Sequence, residues 1–94
     1  MINQHRTLAS LDEAKQFYID EVAKRKTNAS MKSFLTRSIK KQEDYLKDIT
    51  EAVQRGHKDG KAFGWYLGET FTSHHVRFYT KELEMMKQMR SAIL

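Results

Sequence analysis

The chain contains no cysteine and no proline, only four glycines, and no long apolar run. Without cysteine, neither a disulfide framework nor a thiolate metal site can form. The absence of proline suits long uninterrupted helices and argues against a loop-rich fold. No stretch approaches the ~18 apolar residues of a membrane helix, and residues 1–6 lack an apolar signal core. The expectation is therefore a cytoplasmic, non-membrane protein. Asn28-Ala29-Ser30 fits a glycosylation acceptor, which has no meaning in that compartment. Ninety-four residues make one domain, able to bury a modest core.

Acids are missing from one segment. Residues 24–41 carry Lys24, Arg25, Lys26, Lys32, Arg37, Lys40 and Lys41 with no aspartate or glutamate. That is +7 locally, against +5 for the whole chain. Such asymmetry speaks to partners more than the total does.

Helical periodicity runs through most of what is present. Ser10-Leu11-Asp12-Glu13 reads as a capping box, after which Leu11, Ala14, Tyr18 and Val22 recur at three- and four-residue spacing. A first helix is expected over 10–26, following an N-terminal arm of residues 1–9. Asn28 or Ser30 can cap a second helix over 30–55. There, Met31, Phe34, Leu35, Ile39, Tyr45, Leu46, Ile49, Ala52 and Val53 fall within an arc of about 140°. Gln42 is the one strongly polar residue near the middle of that arc, and Gly56 stands where a C-terminal capping glycine belongs. Phe71, Phe78, Tyr79, Leu83, Met86, Met89 and Ile93 share a face of a third helix.

All four glycines lie in "GHKDGKAFGWYLG", at positions 56, 60, 64 and 68. Extending the third helix back to residue 63 sets Gly64 and Gly68 in its apolar face, where missing side chains would let another helix approach. The expected third helix is then 63–93, with a loop over 56–62; the alternative is an irregular loop over 63–68. A phosphate-binding Walker loop is excluded, because Glu69-Thr70 follows the last glycine and a helix precedes the first. The expected fold is all-α, a small antiparallel three-helix bundle: a long helical hairpin with a shorter N-terminal helix, in a single domain.

No catalytic constellation stands out. Ser73 and His74 are sequence neighbours that diverge on a helix, with no acid to orient the histidine. His74 and His75 point about 100° apart and cannot chelate one metal together. Asp12-Glu13, Asp20-Glu21 and Glu43-Asp44 lie on solvated faces. A non-enzyme with no cofactor and no metal is expected. His75 and Glu82 lie within the apolar face, either satisfied by core partners or lining a small ligand pocket beside Gly64 and Gly68.

Two surfaces suggest partners. The basic residues Lys24, Arg25, Lys26, Lys32, Arg37, Lys40 and Lys41 would neutralise phosphates of a nucleic acid or a nucleoprotein partner. The second is an apolar stripe of Trp65, Val76, Leu83 and Met86, closed by Gly64 and Gly68, expected to be left open on a monomer and covered in a homodimer. The leading function is thus nucleic-acid binding. The alternative is a protein-interaction module that inhibits or scaffolds a partner, as in phage- and plasmid-type accessory proteins. A ligand-binding protein comes third.

Overall fold

The structure, a computed structural model, describes residues 10–93; the expected arm over 1–9 lies outside them. In chain order it contains α1 (Leu11–Ala23), α2 (Asn28–Lys58), β1 (Gly64–Tyr66), β2 (Glu69–Phe71) and α3 (Ser73–Ser91). The fold is mostly α, with a small antiparallel sheet that the helical reading did not include.

Local chemistry sets the helix starts. Ser10 Oγ accepts from the Glu13 backbone N–H at 3.2 Å, as the capping box requires. Helix α1 stops at Ala23 rather than residue 26. The cause is Thr27, which takes an extended conformation and caps α2 by accepting from Ser30 N–H at 3.0 Å. Thr27, not Asn28 or Ser30, is thus the cap, and the basic triplet 24–26 forms the corner between the helices.

Helix α2 runs 31 residues, about 46 Å at 1.5 Å per residue, and forms the spine of a molecule 49 Å long. It does not end at Gly56. The αL glycine is Gly60, with φ +81°. Lys61 N–H donates to the Gly56 carbonyl at 2.8 Å and Gly60 N–H to that of His57 at 3.0 Å. Those two bonds make a Schellman ending one turn later than expected.

Residues 63–72 are where the expected long third helix fails. Strands β1 and β2 pair antiparallel, with Gly64 opposite Phe71, Trp65 opposite Thr70 and Tyr66 opposite Glu69. Leu67 and Gly68 join them with φ +50° and +82°, both positive as in a type I′ turn. Right-handed helix is incompatible with positive φ. Helix α3 starts only at Ser73, where Thr72 N–H donates to His75 Nδ1 at 3.0 Å.

Helices α2 and α3 are antiparallel, as the pairs Gln42–Glu82 and Thr36–Arg90 show. Helix α1 covers the N-terminal half of α2 and packs chiefly on α3; β1 lies on the C-terminal half of α2. Two core clusters result. One holds Ala14, Tyr18, Leu35, Ile39, Leu83, Met85 and Met86. The other holds Ile49, Val53 and Phe71, with Tyr45, Tyr66, Val76 and Tyr79 against them.

Candidate nucleic-acid interface

The basic segment forms the corner between α1 and α2 and about the first four turns of α2. Its members are not equivalent. Lys24 Nζ pairs with Glu21 Oε2 at 2.8 Å. Arg25 is half-buried, with its guanidinium 3.9 Å from the centre of the Phe34 ring and Nη1 3.6 Å from Glu21 Oε1. The hydrogen bond from Lys24, reinforced by the charges of Lys24 and Arg25, holds the Glu21 carboxyl below its ordinary value despite partial desolvation. Lys40 Nζ pairs with Asp44 Oδ1 at 3.1 Å. Lys26, Lys32, Arg37 and Lys41 are exposed, and no acid among the described residues pairs with them.

Tertiary packing adds two cations from far along the chain. Arg90 Nη1 donates to Thr36 Oγ1 at 3.3 Å, and Lys87 Nζ pairs with Glu43 Oε2 at 3.3 Å. Lys32 is one turn before Thr36 on the same side of α2. Arg37 and Lys41, also one turn apart, lie on the other flank. The basic residues therefore wrap one end of the bundle rather than lining one stripe. Lys87 and Arg90 escaped the sequence reading; their only signal was three-residue spacing on the polar side of α3.

The expected apolar stripe is not left open. Leu83 and Met86 are core residues, and Val76 packs against the cluster around Ile49 and Phe71. Helix α2 and the hairpin cover that face within the protomer, which removes the premise of the dimer argument. Trp65 alone of the four side chains is open, at 58% exposure. Gly64 does mark a close contact, though in a strand: a Cβ there would collide with the backbone carbonyl group of Ala52. Gly68 makes no close contact, since nothing lies within 4 Å of where its Cβ would be.

His75 and Glu82 are not brought round a shared space. His75 is occupied at the start of α3, its Nδ1 within 3.0 Å of Thr72 N and 3.1 Å of Thr72 Oγ1. Glu82, fully buried two turns later, accepts from Gln42 Nε2 at 2.9 Å. The same amide donates to the Tyr79 carbonyl at 3.2 Å. With Gly64 filled by Ala52 and Gly68 out on the turn, the pocket expected from the four residues does not form. Among the described residues, no three His, Asp or Glu side chains gather as a metal would require, and no helix is long and apolar enough to cross a membrane.

The hairpin carries a second group of features. Its inner face supplies Tyr66, whose hydroxyl donates to Asp48 Oδ2 at 2.8 Å. That bond, with some desolvation and the Asp48 charge, raises the Tyr66 pKa. Tyr45 sits edge-on to Tyr66, Phe71 and Tyr79; burial, reinforced by Tyr79 and Glu69, raises its pKa further. On the outer face, Trp65 stands edge-on to Phe63 at 6.3 Å, and Leu67 is 83% exposed.

No protein-family model, curated protein or solved structure matches this chain.

Proposed function

We propose that this chain is a non-catalytic binding protein that engages the phosphates of nucleic acid, free or within a nucleoprotein, through the basic end of its bundle. One observation carries the reading: Arg90 reaches Thr36, extending the acid-free segment 24–41 across a second helix. Nine cations then share that end: Lys24, Arg25, Lys26, Lys32, Arg37, Lys40, Lys41, Lys87 and Arg90. Among the described residues, the acids paired with them are three, Glu21, Glu43 and Asp44. A rigid helical frame holding unpaired cations suits a polyanion, whose condensed counterions are released on binding.

If the four exposed, unpaired cations each meet one phosphate, affinity for duplex DNA falls on the order of 10²-fold between about 50 and 200 mM salt. Fluorescence anisotropy across that range measures it. Arg37→Glu with Lys41→Glu should abolish binding while circular dichroism reports unchanged helicity. Equal binding by the double variant would sink the proposal.

A protein-interaction module that inhibits or scaffolds a partner is the second reading, favoured by the 83% exposure of Leu67. It requires negligible nucleic-acid affinity at physiological salt, and partner capture that depends on Trp65 and Leu67.

A further inference from the structure

We infer that the outer face of the hairpin is a stacking platform for unpaired bases, so that the nucleic acid taken by this chain is single-stranded. The inference rests on the nucleic-acid reading above and deepens it. Strand alternation turns Gly64 and Tyr66 towards α2, which sends Trp65 to the other side. Gly64 is buried at Ala52 and Tyr66 is fixed by Asp48, so the outward facing of Trp65 is set by both neighbours. Thr70, opposite Trp65, is small and leaves the flank of the indole open. Phe63 meets the indole edge-on and braces it.

The charge around the platform suits a polyanion. Arg55, Lys58 and Lys61 are exposed in the last turn of α2 and the turn that enters β1, against Asp59 there and Glu69 within the hairpin. Lys61 is held there by its N–H bond to the Gly56 carbonyl at 2.8 Å. An open indole on a hairpin that is entered through cations can take the face of any base while the cations take the backbone. This is how single strands are held without reading their sequence. A duplex keeps its base faces stacked inside and can use the cations alone.

Trp65 is the only tryptophan, so its fluorescence reports this platform and nothing else. The test titrates the full chain at low salt with oligothymidylate of about 15 nucleotides, a generous single-strand site, and with a duplex of the same length. Anisotropy of the labelled oligonucleotide and indole emission are read together. The expected result is tighter binding of the single strand, with the indole quenched at saturation. Trp65→Ala should weaken single-strand binding roughly tenfold and leave the duplex unchanged. Trp65→Phe should restore most of the loss, and thermal melts should match the parent for both variants. Single-strand binding with an unquenched indole and an indifferent Trp65→Ala variant overturns the platform while leaving the basic end in place. Absence of binding to either nucleic acid overturns both and favours a protein partner.

Discussion

A Cβ placed on Gly56 would lie 3.1 Å from the Cα of Gly64 and would overlap the Phe63 carbonyl. Helix α2 and strand β1 therefore touch backbone to backbone, with both glycines buried at the contact. Gly56 is tolerated within a helix because the closeness it permits seats the hairpin on the spine.

The glycine substitutions should separate into two kinds. Gly56→Ala and Gly64→Ala force backbone apart and should each cost about 1–3 kcal/mol, as overpacking does. Gly68→Ala meets open space and suffers only the left-handed backbone, on the order of 1 kcal/mol. Thermal melts followed by circular dichroism should rank them so, each kcal/mol moving Tm by roughly 4–8 °C.

Leu67 occupies a turn position that asparagine or glycine ordinarily fills, with φ +50° and its side chain in solvent. Leu67→Asn should stabilise the chain by about 0.5–1 kcal/mol, since it relieves strain and loses no core contact. A lower midpoint in urea for that variant would show that Leu67 makes a stabilising contact after all.

Gln42 and Glu82 form a buried polar link between α2 and α3. Gln42→Leu removes a donor from a fully buried carboxyl group and should cost about 1–3 kcal/mol or more. Replacing both by leucine should cost less than the sum of the two single changes, because the Gln42–Glu82 bond is then lost only once. A double-mutant cycle in chemical denaturation measures the coupling, and strict additivity would count against a functional link.

Stability should decline on the alkaline side. Tyr45 and Tyr66 both have pKa values raised above the ordinary 10.0, Tyr45 chiefly by burial and Tyr66 chiefly by its bond to Asp48. The folded chain keeps those protons longer than the unfolded one. Their contribution is whole below pH 10.0 and is lost as the pH rises through the folded values. Asp48→Ala should return Tyr66 towards its ordinary value, seen in tyrosinate absorbance, and make the decline above pH 10.0 shallower.

Much of α2 was legible because its signals are local. The apolar arc from Met31 to Val53 repeats at helical spacing, and the pair Lys40–Asp44 is one turn apart. Gly56 was expected to cap α2, a role that Gly60 fills, since a capping glycine and a contact glycine are the same residue in sequence. The difference is whether Phe63 and Gly64 lie above one of them. The hairpin was missed for a related reason: glycines four apart fit a helix face as well as a strand and its turn. Arg90 joined the basic end unseen because Thr36 is 54 residues away.

The sequence by itself determined a mostly helical chain, the faces of α2 and α3, and a basic segment without acids, because periodicity, capping and charge act over one or two turns. Only the tertiary structure decided that residues 63–72 form a hairpin, that Leu83 and Met86 are core, and that Gln42 meets Glu82. Each of those depends on which distant surface arrives, and backbone contact at Gly56 and Gly64 is available only once the chain has folded back on α2.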